Sequence, residues 1–126
     1  MITLLAACDG YPSNPSHIFL TAGALAGIVL ILNMLIASPS SSVLIPIPQY
    51  PLYTATLTQQ QGVAIPYYLD EMNGWSMDPV DVEQAVISAK AKGTDPRALV
   101  IINPGNPTGA ILAYDTQHKL VNISMI

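Results

Sequence analysis

The sequence predicts an α/β fold with a mostly parallel sheet and helices packed on it. Three observations lead there. Apolar runs of strand length alternate with stretches of helical spacing; Val100, Ile101 and Ile102 read as a strand buried on both faces; and the segment behind them, Asn103-Pro104-Gly105-Asn106-Pro107-Thr108-Gly109, forces the backbone out of the sheet at one place. Strands and helices alternating at this rhythm make βαβ units.

Taken in order, residues 17–20 form a short strand-like entry, residues 24–36 a helix and residues 38–42 a polar break. A second apolar run at 43–47 is ended by Pro46 and Pro48, and Pro51 then opens a helix over 52–61 closed by Gly62. Residues 63–68 are the next strand and 70–74 a turn. Asp78-Pro79 caps a helix whose Val82, Ala85, Val86 and Ala89 keep helical spacing, with Lys90 and Lys92 near its end and Gly93 behind it. Thr94-Asp95-Pro96 leads into a strand at 98–102, so that Pro79 and Pro96 flank their elements rather than interrupt them.

Composition narrows the function classes. At 126 residues the chain has the length of one domain, yet 51% hydrophobic against 10% charged residues is too apolar for the surface of a small independent one. It has the composition of an interior, which points to a piece of a larger domain. Four Lys and Arg against eight Asp and Glu leave no basic stripe, so nucleic-acid binding has no electrostatic support. The lone Cys8 reads as a small packed residue, and no Cys/His spacing indicates a metal, which suits an intracellular, metal-free protein. Residues 18–37 are apolar enough for a membrane span to be the rival reading. Against it stand Asn33 in mid-run, Thr21, Gly23 and Gly27 at its front, and no Lys or Arg before Lys90 to anchor it. Residues 1–7 lack the basic start of a secretory signal, so the cytoplasm is the expected location.

Three segments carry chemistry, each expected beyond the carboxyl end of a strand, where open α/β sheets bind ligands. In Thr21-Ala22-Gly23-Ala24-Leu25-Ala26-Gly27, Gly23 and Ala24 leave the first N–H groups of a helix uncovered, a seat for a phosphate or a place for close packing. In Pro48-Gln49-Tyr50-Pro51-Leu52-Tyr53, Tyr50 is an aromatic plate on a rigid loop, suited to stacking on a planar ring, although loop tyrosines also serve as packing. In the Asn103 to Gly109 segment an asparagine held between prolines can aim its amide at a bound molecule, whereas a plain β-turn needs only one Asn-Gly pair. Together they describe a site for a phosphorylated heteroaromatic cofactor, provided that Gly23, Tyr50 and Asn106 meet at one sheet edge.

On the strings Asp9-Gly10-Tyr11-Pro12-Ser13, Leu44-Ile45-Pro46-Ile47-Pro48-Gln49-Tyr50-Pro51-Leu52-Tyr53, Tyr67-Tyr68-Leu69-Asp70-Glu71 and Ile101-Ile102-Asn103-Pro104-Gly105-Asn106-Pro107-Thr108-Gly109, the chain resembles the fold-type I pyridoxal-phosphate aminotransferases of class I/II, in their alanine aminotransferase branch. The resemblance implies part of a three-layer α/β/α large domain over residues 9–121, with divergent segments at 1–8 and 122–126. It further implies pyridoxal 5'-phosphate as cofactor, with Asn106 donating to the ring's phenolic oxygen, Tyr50 stacking on the ring, and the backbone at Gly23 and Ala24 holding the phosphate. Where the family usually adds a phosphate contact from a serine, Leu25 has no donor to offer.

The family reaction moves an amino group from L-alanine to 2-oxoglutarate, giving pyruvate and L-glutamate. It needs a lysine that carries the cofactor, an acidic partner for the ring nitrogen and an arginine for the substrate carboxylate. In the family all three lie downstream of the Asn-Pro-Thr-Gly turn, and the sequence here stops at Ile126. Lys119 imitates the Ser-x-x-Lys pattern behind Thr116, but it stands only ten residues after Gly109, and we assign it no catalytic role. No catalytic residue is therefore assigned. Lys90 and Lys92 belong to a solvated helix end, His17 and His118 to surface or turn positions, and Asn122-Ile123-Ser124 is a glycosylation triplet without meaning in a cytosolic protein. The expectation is a chain that does not transaminate by itself. The alternatives are a non-enzymatic remnant or partner-binding fragment, and a small single-span membrane protein. The resemblance also allows a homodimer, a heterodimer with a full-length subunit, or a mitochondrial location.

Overall fold

The computed structural model describes Ala7 and residues 10–123. Helix α1 (Ala24–Leu35) leads by a tight turn into strand β1 (Ser41–Ile47). Helix α2 (Leu52–Gln59), strand β2 (Val63–Tyr68), helix α3 (Pro79–Ala91), strand β3 (Asp95–Leu99) and helix α4 (Tyr114–Ile123) follow. The sheet has the order β2-β1-β3 and every pairing is parallel.

Successive residues of a strand point to opposite faces, and β1 uses both. Leu44 packs with Tyr67, Met77, Val82 and Leu120 under α3 and α4. Val43 and Ile45 pack with Leu32 and Leu57 under α1 and α2. Three layers result, with β1 as the central and most buried strand. Local chemistry starts and stops the elements as the sequence implies. The Asp78 carboxylate accepts from the Val80 amide at 2.9 Å to cap α3, and Gly93 supplies the positive φ of 79° behind it. The Ser41 hydroxyl accepts from the amides of Ala37 and Ser38, at 3.2 and 3.1 Å, and so closes the turn out of α1.

Four expectations change. The polar break at 38–42 is shorter than expected and Pro46 does not end the run behind it: β1 takes in Ser41 and Ser42, both buried, and continues through Pro46 to Ile47, because strands on both sides pair with it at Ser42 and β2 still pairs with it at Pro46. Residues 17–20 form no strand: a short 3-10 turn ends at His17, and Phe19 and Leu20 are 85% and 75% exposed, with no neighbouring strand among the described residues to pair with. The third strand lies three residues earlier than expected, over Asp95–Leu99, and Ile101 is 41% exposed rather than buried. Pro96 sits inside it instead of flanking it, and the register slips there: Ser42 faces Pro96 and Val43 faces Ala98, leaving Arg97 as the extra residue of a bulge. Bulges and edge strands are where a sheet tolerates proline. Helix α4 was not expected at all. Its inward face is Thr116, Leu120 and Ile123, spaced i, i+4 and i+7, a pattern with only two strongly apolar members in an otherwise polar stretch.

The side chains expected at the surface are found there. His17 and His118 are exposed, the latter edge-on to the Tyr114 ring with centroids 4.4 Å apart, and Lys90, Lys92 and Lys119 are exposed. No helix among the described residues is long and apolar enough to cross a membrane; α1 has 12 residues. The readings of residues 1–6, of Cys8 and Asp9, and of Ser124 to Ile126 lie outside the described residues.

Candidate functional site

Because the strands are parallel, β1 and β3 end at the same sheet edge. A tight turn joins the end of α1 to the start of β1, so α1 runs back along the sheet and its N-terminus returns to that edge. The segments carrying Gly23, Tyr50 and Asn106 thus share one edge, but not one cavity. Ala24 lines an open apolar groove of about 400 Å³ with Tyr53 and Val100, on the α1 side of the sheet. Asn106 lines a small cavity of about 20 Å³ with Pro48, Tyr67 and Trp75, on the side of the sheet that carries α3 and α4. Tyr50 stands on the loop behind β1 and is 43% exposed.

At the start of α1, Gly23 has φ 98° and makes no side-chain cap, and the first intrahelical bond runs from the Gly27 amide to the Gly23 carbonyl at 3.3 Å. Among the described residues the amides of the first turn of α1 therefore have no hydrogen-bond partner. The Thr21 hydroxyl donates to the Gly23 carbonyl at 2.9 Å, and the space of Gly27 faces that same hydroxyl. Glycine here serves close approach as well. Leu25 is exposed and brings no donor.

The turn at 103–109 divides its polar residues between two tasks. Asn103 Oδ1 accepts from the Leu112 amide at 3.1 Å, and the Thr108 hydroxyl accepts from the Ala110 amide at 3.3 Å. Gly105 is needed for space, since a Cβ there would overlap the Thr108 hydroxyl, and Gly109 for its φ of 72°. Main-chain bonds from Gly105 to Ala110 and from Gly109 to Gly105 close the loop. Asn106 is left over. Among the described residues its side-chain amide makes no hydrogen bond, so two donors and an acceptor stand free beside the cavity.

The loop behind β1 is built to hold Tyr50 still. Gln49 Nε2 donates to the Thr54 hydroxyl at 3.1 Å, which donates to the Pro51 carbonyl at 3.0 Å, and the buried Gln49 Oε1 has no partner among the described residues. Tyr67, which sequence reasoning used only as part of a resemblance, is almost wholly buried and donates its hydroxyl to the Val100 carbonyl at 2.6 Å; burial pushes its ionisation well above the usual phenol value. Among the described residues no group of three or more His, Cys, Asp or Glu side chains could hold a metal ion. The free amide of Asn106, the half-exposed Tyr50 and the open terminus of α1 therefore lie along one sheet edge, with Ala24 and Asn106 in separate cavities.

The family model "Aminotransferase class I and II" matches residues 1–125. The chain belongs to the class I and II aminotransferases. Among curated relatives, alanine aminotransferase 2 of Panicum miliaceum is 46% identical over 117 residues, covering 93% of this chain and 24% of that protein. Glutamate–glyoxylate aminotransferase 1 of Arabidopsis thaliana is 50% identical over 105 residues, covering 83% of this chain and 22% of that protein. The chain thus spans about a quarter of the length of these aminotransferases. Relatives also include mitochondrial alanine aminotransferases of Arabidopsis thaliana and Saccharomyces cerevisiae. The solved structure of an alanine aminotransferase from Pyrococcus furiosus superposes with a TM-score of 0.80 at 25% identity, covering 98% of this chain and 30% of that one. A pyridoxal-phosphate-bound C-S lyase from Staphylococcus hominis superposes at 0.82 with 18% identity, a likeness of fold, covering 98% of this chain and 31% of that one. Pyridoxal phosphate is the cofactor of the class I and II aminotransferase family.

Proposed function

We propose that residues 9–121 form part of the large domain of an alanine-type aminotransferase and carry one half of its pyridoxal-phosphate site. The observation that carries this reading is Asn106, the one polar side chain of the 103–109 turn that the turn does not use for itself. Asn106 would donate its amide to the ring's phenolic oxygen, Tyr50 would cover the ring face, and the amides at Gly23 and Ala24 would hold the phosphate, with Leu25 adding nothing. Bound there, the group supplies an electron sink; the chain's own part is to bind and orient it. The reaction of the longer protein is transfer of an amino group from L-alanine to 2-oxoglutarate, and the 126-residue chain does not perform it alone, because no lysine among its described residues stands in the context of the cofactor-bearing one. The mitochondrial alanine aminotransferases among the relatives favour a mitochondrial location beside the cytoplasmic one.

Titration of the chain with pyridoxal 5'-phosphate, followed by cofactor absorbance and by Trp75 fluorescence, tests the reading. Saturable binding is expected, with Asn106→Ala weakening it about tenfold or more, the value of a hydrogen bond to a charged oxygen. Binding that Asn106→Ala leaves untouched refutes the assignment. Turnover of alanine and 2-oxoglutarate by the pure chain refutes the claim of inactivity.

A second reading, a fragment that binds a full-length aminotransferase subunit, is favoured by α1. That helix has no charged residue, packs Leu32 inward and still exposes Leu25, Leu30, Ile31 and Met34. Helices apolar all round are interior helices. Co-elution with a full-length subunit in size-exclusion chromatography is its test, and separate elution counts against it.

A further inference from the structure

The last rung between β1 and the segment leading to Asn106 is broken by a proline. The Val100 amide donates to the Leu44 carbonyl at 2.9 Å. In a parallel ladder the next bond runs from the amide two residues on, at position 46, back to the Val100 carbonyl. Position 46 is Pro46, which has no N–H to give. Pro46 and Tyr67 are register partners on adjacent strands, and from there the Tyr67 hydroxyl reaches across to donate to that same carbonyl at 2.6 Å. Beyond Val100, among the described residues, every hydrogen bond of residues 101–112 is made within that segment or to Gln117 on α4; none returns to the sheet.

We propose that Tyr67 is a positioning residue: its hydroxyl replaces the main-chain donor missing at Pro46 and ties the turn that bears Asn106 to the sheet. The proposal rests on reading Asn106 as the contact to the cofactor ring. Tyr67, Pro46, Ile102, Gly105 and Asn106 all line the same 20 Å³ cavity, so the phenol ring also fills the space under the turn it holds. A tyrosine is suited to this task because a side chain donor can reach over a proline that a backbone donor cannot replace.

Amide hydrogen exchange on the 126-residue chain tests it. In Tyr67→Phe the Val100 carbonyl is left without a donor, and exchange at Gly105, Gly109 and Leu112 is expected to rise about tenfold, the fold-change of one lost buried hydrogen bond, while Val43 and Ile65 in the strands change much less. The diagnostic arm is rescue. Pro46→Ala restores an N–H facing Val100, so Tyr67→Phe made in that background should accelerate exchange of the turn far less than in the native chain. Equal acceleration in the strands, or no rescue, overturns the proposal. Should Tyr67→Phe fail to fold, the unsubstituted chain still decides: a slowly exchanging Tyr67 hydroxyl proton coupled to the Val100 carbonyl carbon supports the tether, and a freely exchanging one overturns it. Failure of the cofactor reading shows separately, as absence of pyridoxal-phosphate binding by the native chain with the exchange pattern intact. Where the cofactor binds, Tyr67→Phe lowers its apparent affinity by the fraction of chains in which the turn is closed.

Discussion

Replacing the two asparagines of the turn one at a time separates a residue that builds the site from one that serves it. Asn103 Oδ1 accepts from the Leu112 amide across nine residues and so pins the start of the turn to the chain that leaves it. Asn103→Ala removes that acceptor on an exposed residue, where water can partly replace it, so the cost belongs in the ordinary range for a net hydrogen bond, about 0.5–1.5 kcal/mol. That is roughly a two- to twelvefold change in the folding equilibrium, with RT near 0.6 kcal/mol. Asn106 is also exposed and has no hydrogen bond to lose within the described chain. Asn106→Ala should therefore stay within about 0.5 kcal/mol of the native chain, as surface substitutions do, while removing the proposed cofactor contact. Urea unfolding followed by circular dichroism measures both. If Asn106→Ala destabilises as much as Asn103→Ala, Asn106 is part of the scaffold, and the division of labour that singles it out is wrong.

Two adjacent buried serines of β1 should respond in opposite ways. Ser41→Ala strips the Ala37 and Ser38 amides of their acceptor and should cost about 1–2 kcal/mol, whereas Ser42→Ala deletes a buried hydroxyl that has no partner among the described residues and should be neutral or slightly stabilising in the same melts. Leu120→Ala should cost about 2–5 kcal/mol, since Leu120 is 1% exposed and closes the core over Leu44 and Val82; a loss under 1 kcal/mol would show that α4 does not dock as described. The Asp70 carboxyl is held below the usual carboxylate range, first by the Asn73 side chain and then by the Asn73 and Met72 amides. A depressed folded value means the 70–74 turn gains from the ionised form above the unfolded carboxyl's titration and loses that gain as pH falls through the folded one. NMR titration should find Asp70 among the last aspartates to protonate on acidification, and Asn73→Ala should move it back toward the ordinary value.

Elements whose signals are local were legible from residues alone: the cap at Asp78, the stop at Gly93, Pro51 at the head of α2, and strand β2, whose Val63–Tyr68 bounds agree with the reading. What was hidden depends on what lies alongside. The apolar run 98–102 looks like one strand, but pairing starts earlier because a bulge at Arg97 admits Pro96, and stops at Leu99 because Pro46 on the neighbouring strand has no donor for the next rung. Residues 17–20 have strand composition, and composition cannot supply a neighbour. Helix α4 carries too few apolar residues to announce itself, and it is settled by Leu120 finding Leu44 and Val82.

The candidate site shows the same division. Residue types and their place behind strands singled out Gly23, Tyr50 and Asn106, but not why the third segment needs two asparagines, nor that Tyr67 holds it. Both follow from unmatched backbone groups: the Leu112 amide takes Asn103, the Val100 carbonyl takes Tyr67, and the one amide with no scaffold partner is Asn106. In a turn so short, the side chain proposed to bind a ligand is singled out by what it leaves undone. Had Asn106 satisfied a backbone group and Asn103 stood free, the same seven-residue string would have pointed its amide from a different place, and the proposed ring contact would fall to Asn103.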